Sequence, residues 1–193
     1  ILRCLVGSEM CIRDRERAAY YGVFVVITLY LSNVLGFTDI QAATIAGVFS
    51  ACLYLLPTFS GALADKIGFR KSMLLAFTLL SLGYLGLGLF PNFLASTGLV
   101  EYGYVTKFTG LQESGYRYGI IPIMILIIVG GSFIKSVISG TVAKETDEKS
   151  RARGFAIFYG MVNIGAFSGK VLVTPLRDAM GHEGMIVLNY FSA

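Results

Sequence analysis

Charge is what this sequence has least of. Asp, Glu, Lys and Arg make up 15% of its 193 residues, against roughly 25% in a soluble domain. Too few polar residues remain to cover a water-facing surface, which excludes a soluble enzyme and a disordered chain. The net charge of +4 comes from 16 basic residues scattered among long apolar stretches. Such scatter does not build the basic face that nucleic-acid binding requires. Histidine occurs once, as His182, between Gly181 and Glu183, and is expected in a solvated loop. The three cysteines, Cys4, Cys11 and Cys52, are odd in number and lack metal-ligand spacing. Cys52 lies in an apolar run and reads as a small core residue. Phosphate-binding loops and nucleophile elbows are absent too. The chain is therefore expected to be no enzyme and to carry neither cofactor nor metal.

What is there is length without charge. Ala18 to Thr38 is 21 residues with none, Ile40 to Ala64 is 25, and Ser72 to Val100 is 29. Tyr118 to Ala143 is 26 with Lys135 alone, and Gly154 to Leu176 is 23 with Lys170 alone. A helix needs about 20 apolar residues to cross a hydrocarbon core of about 30 Å. Barrel strands alternate apolar and polar residues, and runs such as Gly22 to Leu31 do not. The expectation is an all-α, polytopic membrane protein with spans near 16–36, 42–64, 72–90, 118–143 and 153–176. A sixth run, 184–193, is too short to cross, so the chain reads as a fragment ending in mid-element.

Glycine is frequent inside these runs, at Gly83, Gly86 and Gly88 in the third and at Gly160, Gly165 and Gly169 in the fifth. Small residues let helix backbones approach closely in lipid, and ordinary bundle packing accounts for them, the Gly165–Gly169 pair included. Orientation follows from Lys and Arg in the loops. Lys66, Arg70, Lys71, Lys144, Lys149, Arg151 and Arg153 fall on one side, and Lys107, Arg117 and Arg177 on the other. Seven against three puts the first set, and the N-terminus, in the cytoplasm of what is expected to be a bacterial inner membrane. The loop from Pro91 to Arg117 then faces outside as a solvated connector.

Residues 1–15 differ in texture from the rest. The stretch from Cys4 to Arg15 resembles a translated sequencing adaptor, and residues 1–15 are expected to be non-native, leaving 16–193 as the membrane bundle.

Polar residues inside the runs need a physical reason, since Lys at a helix centre costs roughly 2.5–3.5 kcal/mol on insertion scales. Lys135 lies 8 residues inside its run, about 12 Å from its cytoplasmic end. A cavity-facing lysine and one whose ammonium snorkels to the surface both fit. Lys170, near the outer end of its run, reads as snorkelling. Glu16 and Arg17 read from hydropathy as an interfacial pair, and Tyr20 and Tyr21 as part of an aromatic belt. Asn163, mid-span with Tyr159 one turn earlier, suits either a structural hydrogen bond or a solute contact.

Three patches add a resemblance. Gly61-Ala-Leu-Ala-Asp65-Lys-Ile-Gly68-Phe-Arg70-Lys71 resembles the GxLaDrxGrk loop of the major facilitator superfamily. Glu16-Arg17-Ala18-Ala19-Tyr20-Tyr21-Gly22 resembles the ExxERFxYYG motif of proton-dependent oligopeptide transporters. Phe158-Tyr159-Gly160-Met161-Val162-Asn163-Ile164-Gly165 resembles that family's FYxxINxG element, and Gly130-Gly131-Ser132-Phe133-Ile134-Lys135 its GxGxxKP element. The patches fall on successive helices in the family's order and span residues 16–193.

The resemblance implies the N-terminal six-helix half of a major-facilitator bundle, with five complete helices and the start of a sixth, and a missing C-terminal half as its partner. It implies proton-coupled symport of di- and tripeptides across a lipid bilayer, with protons and small peptides as the solutes. Glu16, Arg17 and Lys135 would form the proton-coupling charge network. Tyr20, Tyr21, Tyr54 and Asn163 would line the peptide site. Gly61, Asp65, Gly68, Arg70 and Lys71 would belong to the cytoplasmic gate. The sequence departs from the pattern at Arg13, where the motif has Glu, and at Ala18, where it has Phe. It departs again at Val162 for Ile, Ser132 for Gly and Ser136 for Pro. A carrier of another solute such as nitrate, a sugar or a drug-like molecule is the nearest alternative. A non-transporting membrane receptor or scaffold is the alternative from another class.

Overall fold

The structure is a computed structural model that describes residues 27–103, 105–111, 113–145 and 151–193. Residues 27–33 are helical and form the described part of α1. Then come α2 (Asp39–Ile67), α3 (Phe69–Ser96), β1 (Val100–Glu101), β2 (Lys107–Phe108), a short 3-10 turn (Gly115–Gly119), α4 (Ile120–Glu145), α5 (Arg151–Met180) and α6 (His182–Ser192). The family of the fold is therefore helical, as expected. Three helical stretches among the described residues are long and apolar enough to cross a membrane: Asp39–Ile67, Phe69–Ser96 and Gly115–Gly140. α5, which covers the fifth charge-poor run, is 30 residues long.

Local sequence explains where the helices start and stop. Thr38 and Gln41 cap α2 reciprocally: the Gln41 amide donates to Thr38 Oγ1 and the Thr38 amide donates to Gln41 Oε1, both at 3.3 Å. Two otherwise orphaned donors are thereby satisfied. α2 ends at Gly68, whose φ of +93° lies in a region that L side chains rarely adopt. Its amide closes onto the Ala64 carbonyl at 2.9 Å, and α3 begins at the next residue. A single glycine thus separates two long helices.

The helices pack through narrow faces. On α2 the buried residues are Ala42, Phe49, Leu53, Ser60 and Ala64, a stripe at helical spacing. α4 is the centre of the bundle, packed against both α2 and α3, while α3 also packs against α6 and α6 against α5. The glycines of the third run do what close approach requires. A side chain at Gly83 would collide with Ile127, one at Gly86 would meet Ile123 at 3.0 Å, and one at Gly88 would meet Tyr190 at 2.9 Å. From the other side, a side chain at Gly130 would meet the Ala76 carbonyl at 3.0 Å. Outside these contact stripes large apolar residues are exposed, among them Ile40, Phe59, Leu55 and Phe167. That surface suits hydrocarbon or further protein rather than water.

Two readings of the sequence change at the end of the bundle where α3 meets α4. α3 does not stop near Pro91 but continues to Ser96, with Pro91 inside it. The segment beyond is no loose connector. It forms an antiparallel hairpin, Val100 opposite Phe108 and Glu101 opposite Lys107, and buries Val100 and Leu111. Tyr102 Oη donates to the Val34 carbonyl at 3.0 Å, and burial holds its phenol above the ordinary tyrosine range. Arg117 Nη1 donates to the Gly36 carbonyl at 3.3 Å, with its guanidinium over Phe37 at 4.9 Å and Tyr118 at 5.2 Å. His182 is also not a free loop residue. It opens α6, and its Nδ1 accepts from the Thr106 amide at 3.1 Å and lies 3.0 Å from Thr106 Oγ1. Apolar and ring contacts made by the hairpin fold it onto the helix ends, which polarity and glycine content alone do not foretell.

Candidate functional site

A proline inside a helix has no amide to give to the carbonyl four residues back. All four prolines lie within described helices: Pro122 in the first turn of α4, where no intrahelical amide is called for, and Pro57 in α2, Pro91 in α3 and Pro175 in α5 beyond the first turn. The carbonyl released by Pro91 belongs to Leu87, and the buried Tyr30 hydroxyl donates to it at 2.6 Å. The carbonyl released by Pro57 belongs to Leu53, and Lys135 Nζ donates to that one at 3.2 Å. In apolar surroundings such a group costs free energy unless it is paired, so a carbonyl released in this way calls for a donor from elsewhere.

Around Pro57 that demand gathers a polar cluster between α2 and α4. Ser136 Oγ donates to the Pro57 carbonyl at 2.6 Å and stands 3.1 Å from Ser60 Oγ and from the Ser132 carbonyl. Ser60 Oγ lies 3.4 Å from the same Pro57 carbonyl. Ser132 is buried and donates to the Val129 carbonyl at 2.7 Å. Small residues make the approach possible: a side chain at Gly131 would meet Leu53 at 3.0 Å. Lys135 Nζ also sits over the Tyr54 ring, 4.2 Å from its centroid. A cation over an aromatic face gains about 0.5–2 kcal/mol, more as water is excluded. The ammonium is thus held at the α2–α4 contact by a carbonyl and a π face.

Of the residues singled out in the sequence, the structure brings Lys135 and Tyr54 together. Tyr54 is otherwise 73% exposed. Asn163 and Tyr159 lie one turn apart on α5, both exposed. Glu16, Arg17, Tyr20 and Tyr21 lie outside the described residues, as do position 13 and the adaptor-like head. The loop residues Gly61, Asp65, Gly68, Arg70 and Lys71 cluster at the α2–α3 connection, with Asp65, Arg70 and Lys71 exposed. Among the described residues no ion pair holds Asp65. Gly61 faces Ser136, which a side chain there would meet at 3.6 Å, and Phe69 lies against Gly140 of α4. Pro57 and Ser60 went unnoticed in the sequence, and Ser136 was noted only as a departure from a motif. The signal was available: a proline within a charge-free run implies a donor near the carbonyl four residues earlier. Among the described residues no group of His, Cys, Asp and Glu is placed to hold a metal ion.

The described helices, three stretches of them long and apolar enough to cross a membrane, form a polytopic bundle with Lys135 at the α2–α4 contact. A family model described as Major Facilitator Superfamily matches residues 17–176, and the chain belongs to that superfamily. Its members are carriers rather than enzymes. Among curated proteins, "Dipeptide and tripeptide permease A" of Salmonella typhi is 31% identical over 166 residues, covering 83% of this chain and 28% of that permease. "Solute carrier family 15 member 1" of Rattus norvegicus is 28% identical over 185 residues, covering 90% of this chain and 24% of that carrier. The chain therefore spans about a quarter of the length of these relatives.

Two solved structures share the fold, each at 23% identity over 95% of this chain. One is described as "Selectivity mechanism of a bacterial homologue of the human drug peptide transporters PepT1 and PepT2", with a TM-score of 0.67 and 38% of that chain covered. The other is tetrameric PepTSo2, with a TM-score of 0.71 and 37% covered. The peptide-transporter resemblance of the helix motifs agrees with these names.

Proposed function

We propose that this chain is part of a secondary active transporter that couples proton entry to uptake of di- and tripeptides by alternating access. The observation that carries this reading is Lys135: a cation within a membrane helix, held by a carbonyl and an aromatic face of the neighbouring helix. An ionisable residue within a membrane helix is a functional feature by default, and superfamily membership together with relatives named as peptide permeases supplies the solute class.

In this reading two helical bundles rock about a midplane site, the second supplied by the rest of the carrier. A proton arriving from outside neutralises Glu16 or a neighbouring carboxylate. Its hold on Arg17 or Lys135 weakens, and the freed cation engages the peptide carboxylate. Tyr20, Tyr21, Tyr54 and Asn163 line the peptide's path. Asp65, Arg70 and Lys71, with the glycines at 61 and 68, act at the cytoplasmic gate. With the N-terminus in the cytoplasm of a bacterial inner membrane, each charge that moves inward gains about 2.3 kcal/mol per 100 mV, so the membrane potential helps drive accumulation.

Replacing Lys135 with Ala in the carrier expressed from its complete reading frame is expected to abolish proton-driven dipeptide uptake while the protein still folds. Unchanged accumulation in proteoliposomes under an imposed pH gradient rejects the role of Lys135. Competition of dipeptide uptake by nitrate, sugars or drug-like solutes, with no competition by other peptides, rejects the solute class.

A further inference from the structure

At the hairpin end of the bundle, α3 and the 3-10 turn before α4 enclose a cleft of about 440 Å³, lined by Phe90, Phe93, Gly115, Tyr116 and Gly119. Its size falls within the roughly 300–1,000 Å³ of small-ligand sites. We infer that this cleft is a lipid site, and that it takes one acyl chain of a zwitterionic phospholipid from the leaflet at that end. The walls are built from rings and bare backbone. Phe90 and Phe93 stack, with centroids 6.4 Å apart and planes inclined by 26°. Phe90 lies directly on Gly119, where an added side chain would meet it at 3.0 Å. At Gly115 nothing lies within 4 Å of where a side chain would start, so the space is open there because a side chain is missing. Phe93 and Tyr116 are each more than half exposed.

The occupant follows from where the cleft lies. Both walls belong to stretches long and apolar enough to cross a membrane, Phe69–Ser96 and Gly115–Gly140. Exposed apolar residues continue from it along both, Leu85 and Leu89 on α3 and Ile121 and Ile125 on α4. Water is a poor filling: it needs two to four polar partners, and among the lining side chains the Tyr116 hydroxyl is the one polar group. An empty cleft forfeits the dispersion contacts of its walls, and a hydrocarbon chain recovers them. In lipid the gain over boundary contact is packing, which fixed rings and glycine backbone favour. Charge selects the headgroup. Arg117, the cation of the turn, is held by the Gly36 carbonyl and the Phe37 and Tyr118 rings, while Glu113, two residues before Gly115, is exposed. Anionic headgroups are drawn to Lys and Arg; a rim with an exposed carboxylate and its cation turned inward favours a headgroup that carries an ammonium. The Tyr116 hydroxyl stands at the headgroup level, where tyrosines of membrane proteins gather. None of this depends on which solute is carried.

The test is photolabelling of the complete carrier. It is reconstituted in vesicles of phosphatidylethanolamine and phosphatidylglycerol that contain a small fraction of phosphatidylethanolamine with a diazirine in one acyl chain. After illumination, adducts are mapped by mass spectrometry. They are expected on Phe90, which is half-buried and faces the cleft, as well as on Phe93 and Tyr116. Gly115→Leu puts a side chain into free space and fills the cleft. Labelling of Phe90 is expected to fall about tenfold, the change that a loss of ~1.4 kcal/mol of binding produces, while labelling of the exposed Leu85 stays the same. Equal labelling of Phe90 in Gly115→Leu and the parent means boundary lipid alone and overturns the site. Absence of adducts on Phe90 in the parent, as when the rest of the carrier or a second copy covers the cleft, overturns it too. A phosphatidylglycerol probe with the same chain is expected to label Phe90 less; equal or stronger labelling overturns the zwitterionic headgroup.

If Gly115→Leu does not fold, the parent protein decides. In detergent, with the phosphatidylethanolamine probe added in steps, adducts on Phe90 are expected to level off while those on Leu85 still rise. Curves that rise in parallel overturn the site.

Discussion

At the scale of single residues, the prolines govern where polar groups are found. Pro57 and Pro91 each strip one hydrogen bond from a helix, and a side chain from another helix replaces it: Lys135 in the first case and Tyr30 in the second. The Tyr30 pair offers a clean measurement, because Tyr30 is buried and takes no part in the charge network. Tyr30→Phe leaves the Leu87 carbonyl unpaired and is expected to cost about 1–3 kcal/mol. In a Pro91→Ala background the restored amide serves that carbonyl, so the same Tyr30→Phe change is expected to cost less than half as much. Unfolding in detergent for the parent, both single variants and the double variant gives the coupling. Equal costs in the two backgrounds would break the link between proline and donor. Sequence reading found Lys135 because a lone charge in an apolar run stands out. It missed Pro57, Ser60 and Tyr30 because their importance lies in a pairing between helices, which depends on register and not on composition.

At the scale of elements, the hairpin and the start of α6 form one unit. Thr106 and His182 are 76 residues apart in sequence and join at 3.1 Å. The Thr106 amide can only donate, so His182 Nδ1 accepts from it. Val105→Trp, at an exposed position, would report on the hairpin: its emission is expected to shift when His182→Ala removes this acceptor, and an unchanged spectrum assigns the hairpin's hold elsewhere. Burial raises the Tyr102 phenol, so its contribution to the folded hairpin is present up to the ordinary tyrosine pKa of about 10 and is lost as pH rises further. The long helices were legible because 20-odd residues without charge have few other ways to satisfy their backbone. The hairpin was not, since two-residue strands leave no periodic pattern and their partners lie on distant helices.

At the scale of the whole molecule, Phe69 beside the α2–α3 joint packs on Gly140 towards the C-terminal end of α4, while the hairpin joins the end of α3 to the start of α4. The excess of Lys and Arg near that joint and after α4 sets the expected orientation. Single cysteines at Lys71 and Thr109 test it: in intact cells a membrane-impermeant maleimide is expected to label Thr109→Cys and to spare Lys71→Cys. The reverse pattern inverts the topology and with it the direction of the proposed uptake. The one-residue joint at Gly68 has a mechanical consequence of its own. The Cα atoms on either side of it can never be more than about 7.6 Å apart, so α2 and α3 are the two arms of a pair of tongs. A helix of 28 residues is a lever of about 42 Å. A swivel of about 10° at the joint parts the far tips by about 7 Å over that length, while the basic end scarcely moves.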